Sequence, residues 1–136
     1  MSSQVTTLIQ TTTAGVASGN YNGSDTTWYS QQTQSSGYYG YSAGLNTVFY
    51  YTDKFFIGDL TVQVTLASNP GVNDWVTLED TMVGNMNPNN QVPIATAVNF
   101  TGNYTYMRIM VSNFSINSGQ GPGINAGSIL KVQYAF

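Results

Sequence analysis

The chain has 136 residues, no cysteine, no histidine and nine charged side chains, with a net charge of −3. This length fits one domain. The missing residue types exclude disulfides, thiolate metal sites and the serine–histidine or cysteine–histidine pairs of nucleophilic catalysis. Three cations are too few to replace the counterions of a nucleic acid or to hold an anionic membrane surface. We therefore expect a non-enzymatic protein with no cofactor, no metal site, no nucleic-acid partner and no membrane partner.

The N-terminal sequence, MSSQVTTLIQ, has neither the basic start nor the apolar stretch of a secretory signal. No apolar run approaches the roughly 20 residues that a membrane-spanning helix requires. We therefore expect neither a secretory signal peptide nor a membrane-spanning helix.

Residues 1–46 differ in composition from the rest, being rich in Gly, Ser, Gln, Thr and Tyr with one charge, Asp25. They predict an irregular arm with long loops, which docks on its own domain, docks on a neighbouring subunit or stays disordered. We expect removal of residues 1–20 to leave the remaining domain folded. The aromatic side chains of the arm are the first candidates for a protein interface: Trp28, Tyr29, Tyr38, Tyr39 and Tyr41.

Residues 47–136 alternate apolar and polar side chains over short runs that are separated by Gly, Pro and Asn. This pattern predicts an all-β domain, an antiparallel β-sandwich or jelly roll of about seven or eight strands. The predicted strands are Thr47–Ile57, Asp59–Ala67, Trp75–Glu79, Val92–Val98, Tyr104–Ser112 and Ser128–Phe136, of which Asp59–Ala67 is the clearest.

In three of these strands the alternation of apolar and polar residues predicts which side chains face the core. In the second, Leu60, Val62, Val64 and Leu66 face inward, and Thr61, Gln63 and Thr65 face solvent. In the fifth, Met107, Ile109 and Val111 face inward, and Tyr104, Tyr106, Arg108 and Met110 lie opposite. In the last, Leu130, Val132, Tyr134 and Phe136 face inward, opposite Lys131 and Gln133.

Three carboxylates lie close together in sequence at Asp74, Glu79 and Asp80. Such groups serve a glycosidase pair or a calcium site in other proteins. The spacing does not match an EF-hand, and Glu79 and Asp80 are expected to end a strand and begin a turn. The structural interpretation is favoured over both chemical ones.

Arg108 is the one arginine and lies in the middle of a predicted strand. Tyr104 and Tyr106 share its face and are candidates to stack on the guanidinium. An ion pair with Asp59, Glu79 or Asp80 is the alternative. Because Tyr and Arg dominate many interfaces, Tyr104, Tyr106 and Arg108 complete the set of interface candidates.

The two tryptophans and ten tyrosines would also suit a sugar-binding platform. Trp75 is expected to fill the core next to a turn instead. The glycine-rich segment Gly119–Gly127 lacks the ending of a phosphate-binding P-loop, and we interpret it as a long connection that reaches a neighbour.

The sequence NFTGNYTYMRIMV at Asn99–Val111 resembles the F-x-G-N-[FY]-x-[WY]-[VM]-R segments of small β-sandwich virion proteins of tailed bacteriophages, especially phages of marine bacteria. Gly127–Tyr134, Leu60–Leu66 and Asn69–Trp75 resemble other parts of that pattern. The resemblance covers residues 47–136 and leaves out residues 11–46.

The resemblance implies a structural protein without catalytic residues. The hypothesis is a capsid decoration protein located in the virion, which binds the major capsid protein or other virion proteins, alone or as a homo-oligomer. A tail, neck or fibre component is the alternative within this class. A carbohydrate-binding β-sandwich module is the alternative outside it.

Overall fold

Two antiparallel sheets packed face to face form the described part of the chain. The structure is a computed structural model that describes residues 5–35, 44–85, 93–115 and 127–135. In chain order its strands are β1 (Val5–Ile9), β2 (Thr12–Thr13), β3 (Trp28–Tyr29), β4 (Thr33–Gln34), β5 (Leu45–Thr52), β6 (Gly58–Thr65), β7 (Val76–Asn85), β8 (Ala95–Thr101), β9 (Tyr106–Ser112) and β10 (Ser128–Ala135).

The first sheet has the order β1-β10-β5-β8, with β2 beside β10, and the second has the order β3-β9-β6-β7, with β4 beside β9. Every strand pair is antiparallel. The all-β prediction of an antiparallel β-sandwich is therefore confirmed. β5 starts at Leu45, inside the segment predicted as an arm, and ends before the predicted Ile57.

Residues 5–35 of the predicted arm contribute two strands to each sheet. β1 and β2 pair with β10, while β3 and β4 pair with β9. Ile9 and Ala14 are buried in the core at 4% and 3% exposure. These contacts oppose the expectation that residues 1–20 can be removed without unfolding the domain, because the deletion would remove the outer pairing of β10 and two core side chains.

The core lies between the sheets and is made of the inward side chains of both. Met107, Ile109 and Val111 are fully buried, so the alternation predicted for β9 is correct. Four aromatic rings of the core pack around Phe114, with the centroids of the contacting pairs 4.9 to 5.9 Å apart: Tyr21, Trp28, Phe56 and Phe114. Burial of each such side chain stabilises the fold by about 1.5–3 kcal/mol.

In β10 the pairing register with β5 shifts between Ile129 and Lys131. Such a bulge moves the side chains before it to the other face. Ile129 is therefore buried and Leu130 is 45% exposed, whereas Val132 and Tyr134 point inward. The predicted face was right for the last two and wrong for Leu130, and Phe136 lies outside the described residues.

The predicted solvent face of β6 is wrong, because Thr61, Gln63 and Thr65 are buried. β6 lies between β7 and β9, and on its outer face Gln63 bonds to Arg108 and Thr77 while the Thr61 hydroxyl bonds to that of Thr81. Leu66, which was expected to point inward, follows the end of the strand and is 73% exposed.

β7 is longer than the predicted Trp75–Glu79 strand. Its pairing with β6 passes from Leu78 opposite Val62 to Val83 opposite Leu60, so β7 carries extra residues there. Thr81 lies in this bulge, and its hydroxyl accepts the Val62 N–H at 2.9 Å. Glu79 and Asp80 are exposed within the strand and do not end it.

The predicted strand Val92–Val98 corresponds to β8, which begins later, at Ala95, and continues to Thr101. Residues 86–92 and 116–126 fall outside the described residues. The second segment contains most of the glycine-rich connection that ends at Gly127.

Candidate functional site

The outer face of the second sheet carries a stack of three side chains that we call the aromatic clamp: Tyr29, Arg108 and Trp75. The central carbon of the Arg108 guanidinium lies 3.9 Å from the Tyr29 ring centroid and 4.3 Å from the Trp75 ring centroid. All three side chains are half-buried. Cations at such distances are attracted to the ring faces, by about 0.5–2 kcal/mol per pair depending on desolvation.

Strand register brings the clamp together. Arg108 points outward because its neighbours Met107 and Ile109 point into the core. Tyr29 reaches it from β3 on one side of β9, and Trp75, just before β7, reaches it from the other side across β6.

A row of hydrogen bonds holds the guanidinium in place. Gln63 lies opposite Arg108 in the β6–β9 register and opposite Thr77 in the β6–β7 register. The Arg108 Nε–H donates to Gln63 Oε1 at 2.7 Å, and Gln63 Nε2 donates to Thr77 Oγ1 at 3.1 Å. Gln63 is only 7% exposed, so the row is shielded from water and orients the guanidinium before any ligand arrives.

The clamp contains a positive charge without an acidic partner. All six Asp and Glu side chains belong to the described residues, and none of them forms an ion pair with Arg108. Asp59 instead accepts a hydrogen bond from Asn113 at 2.9 Å. The predicted ion pair is therefore absent. Burial lowers the pKa of Arg108 below its ordinary value, opposed by the nearby Tyr29, but an arginine remains charged at neutral pH.

The rings that stack on Arg108 are those of Tyr29 and Trp75 and not those of the predicted Tyr104 and Tyr106. Tyr104 contacts Phe100, with ring centroids 6.3 Å apart, and Tyr106 is a half-buried residue of β9. The prediction that Trp75 fills the core is wrong, because the ring lies on the outer face. The spacing along the chain could have indicated this, because Trp75 precedes Thr77 by two residues and so shares the outer face of the sheet with it.

The remaining interface candidates divide into two groups. Trp28 is 5% exposed and packs in the core against Tyr21 and Phe114, so its ring cannot contact a partner of the folded chain. Its Nε1 has no hydrogen-bond partner among the described residues, and the side chain borders a polar cleft of about 240 Å³. Tyr38, Tyr39 and Tyr41 lie outside the described residues.

An apolar groove of about 370 Å³ lies where β6 ends and β7 begins. Its wall includes Leu66, Val76, Leu78 and Tyr104. Leu66 and Val76 are 73% and 60% exposed, so the rim of the groove is apolar and open to solvent.

The three carboxylates singled out by sequence are not gathered into a metal site. Asp74 accepts the Gly71 N–H at 2.7 Å, and Asp74, Glu79 and Asp80 are all exposed. In the part of the chain that the structure describes, no group of three or more His, Cys, Asp or Glu side chains is placed to hold a metal ion.

No helix in the described ranges has the length and apolarity needed to cross a membrane. Comparison with known proteins gives no match to a family model, to a curated protein or to a solved structure.

Proposed function

We propose that this chain is a non-enzymatic structural protein that packs against another protein, as an accessory component on the capsid of a tailed-phage particle. The aromatic clamp is the observation that carries the proposal. The few residues that supply most of the binding energy of a protein interface are enriched in Tyr, Trp and Arg. Here one of each is stacked in the middle of a sheet face.

The clamp is organised before binding. Its guanidinium is already held by Gln63 and two rings, so association would immobilise little additional side-chain freedom. The apolar groove is a separate surface, because Val76 pairs with the core residue Val64 and so lies on the opposite face of the sheet from Thr77 and the clamp.

The assignment to a phage particle rests on sequence. The Asn99–Val111 segment resembles virion proteins, and it includes Arg108 of the clamp. Only 7% of the residues are charged, so neutral side chains supply the surface polarity. Such a surface suits a protein that spends its working life in contact with neighbours and gains stability from them by mass action.

Mass spectrometry of purified particles tests this proposal. We expect the chain in particles from the cells that produce it, in fixed proportion to the major capsid protein. Immuno-electron microscopy then separates the positions: label over the head supports decoration, and label on the tail supports a tail, neck or fibre component. A chain that stays in the soluble fraction, with particles free of it, contradicts both.

One observation favours the carbohydrate-binding alternative. The Trp75 ring is half-buried on the surface, next to exposed Asn73 and Asp74, which are typical hydrogen-bond partners of sugars. Trp28, by contrast, is buried and cannot add to a platform. A glycan array with wild type and a Trp75→Ala variant decides between the functions, because signals that vanish in the variant would support sugar binding.

A further inference from the structure

We propose that the aromatic clamp is a carboxylate-binding site, whose ligand is an aspartate or glutamate side chain of the partner protein. This inference rests on the proposed packing function and names the chemistry of the contact. Its starting point is that Arg108 is half-buried yet pairs with none of the chain's six carboxylates.

The shape of the site selects a carboxylate. The Arg108 Nε–H is used by Gln63, and rings approach the guanidinium from the two sides of β9. The two Nη groups have no hydrogen-bond partner among the described residues. These groups present parallel N–H donors at the spacing of two carboxylate oxygens, the bidentate geometry that arginine forms best.

Burial strengthens this contact. Charge pairs on an open surface contribute little because water screens them. The Arg108 guanidinium has two rings around it and a nearly buried Gln63 beside it, so water around it is reduced. An acidic side chain that entered the clamp would therefore meet a cation that is already partly desolvated, and the flanking rings would exclude further water.

Charge identifies the source of the carboxylate. The chain has a net charge of −3, and the exposed Asp74 adjoins Trp75 in sequence. A polyanion such as a nucleic acid or an acidic polysaccharide would meet one useful cation and repulsion from the rest of the surface. A single acidic side chain on an otherwise neutral protein surface gains the same contact with less repulsion, so we assign the site to a protein partner.

The first experiment uses the uniqueness of Arg108. Because the chain contains one arginine, its side-chain Nε–H signal in an ¹⁵N NMR spectrum needs no assignment. The probe is sodium acetate, added to the full chain at constant ionic strength against sodium chloride. We expect a saturable shift with half-saturation at about 10–100 mM, the affinity of a single charged hydrogen-bonded contact.

Two results would overturn the site. One is an acetate titration that matches the chloride titration. The other is a sulfate or phosphate titration that saturates at concentrations at least tenfold lower than acetate, since the ligand would then be a tetrahedral anion. A saturable acetate shift with weaker sulfate and phosphate shifts supports the assignment.

The second experiment measures binding to purified particles that lack the chain. An Arg108→Lys variant keeps the charge but loses the planar fork, and we expect its affinity to fall at least tenfold. The matched control is Lys131→Gln, since Lys131 lies 4.9 Å from the Tyr51 ring centroid on the other sheet. Its affinity should equal that of wild type, and circular dichroism checks that both variants fold.

The outcomes separate the two proposals. If wild type fails to bind particles although acetate shifts the Arg108 signal, the packing function and the partner are overturned, and a carboxylate site remains. If Arg108→Lys binds particles as wild type does, the partner's acidic side chain is overturned, and the packing function stands. If Arg108→Lys unfolds, the affinity of wild type for particles is measured instead in 100 mM acetate and in chloride at the same ionic strength. A lower affinity in acetate supports the inference, and equal affinities overturn it.

Discussion

Arg108 and Trp75 should be energetically coupled, and a double-mutant cycle with Arg108→Met and Trp75→Leu measures that coupling in the free chain. The guanidinium carbon lies 4.3 Å from the Trp75 ring centroid in a half-buried setting. This setting lies between exposed and desolvated cation–π pairs, so we expect a coupling of about 1 kcal/mol.

The single variant Arg108→Met should lose more stability than the coupling with Trp75 accounts for. It also loses the contact with Tyr29, for about 1 kcal/mol more. In addition it leaves the buried Gln63 Oε1 without its donor, which costs about 1–3 kcal/mol. The total is about 3 kcal/mol or more, and a domain of this size should melt about 10 °C lower.

Urea unfolding followed by far-UV circular dichroism gives the four free energies of the cycle. A cycle between Lys131→Met and Tyr51→Leu is the control, because that exposed ammonium lies 4.9 Å from its ring centroid. We expect a coupling below about 0.5 kcal/mol there. A coupling near zero for Arg108 and Trp75, within the usual error of about 0.3 kcal/mol, would refute a preformed clamp.

Three further changes test the contacts that hold the two sheets together. Thr81→Val keeps the side-chain shape but leaves the buried Val62 N–H without an acceptor, so urea unfolding should show a loss of about 1–3 kcal/mol, against almost none for the exposed Thr96→Val. Burial raises the pKa of Tyr50 above its ordinary value, so the unfolded chain ionises first and stability should fall as pH rises above about 10; the fall should be shallower in Tyr50→Phe. Deletion of residues 1–13 removes β1 and β2 and should lower the melting temperature sharply, whereas an unchanged melting curve would contradict their role in the first sheet.

The alternation of apolar and polar residues identified the strands that have one core-facing side and one outward side. β9 shows this most clearly, because its inward side chains meet the core and its outward ones remain half-buried. β6 shows the limit of the method. Its polar residues look solvent-facing in sequence, but Gln63 is covered by partners that belong to other strands. The bulge that exposes Leu130 depends on pairing with β5 and leaves no signal in the alternation of β10 itself.

The sequence indicated one member of the clamp, Arg108, but not the two rings that stack on it. Arg108 stands out because it is the single arginine, in the middle of an aromatic strand. Its actual neighbours were missed because sequence periodicity relates a residue to those two positions away, such as Tyr106. Tyr29 and Trp75 reach Arg108 only through the pairing of β3 with β9 and of β6 with its two neighbours. That pairing is a property of the sheet and not of any single strand.

Hydroxyl-radical footprinting of the chain, free and bound to particles, tests most directly whether the clamp is the contact surface. The rings of Tyr29 and Trp75 are half-buried in the free chain and can be oxidised there, as can Tyr51 on the opposite sheet. We predict that oxidation of Tyr29 and Trp75 drops on binding while oxidation of Tyr51 continues. If Tyr29 and Trp75 are oxidised as fast in the bound chain as in the free one, the partner docks elsewhere and the account is contradicted.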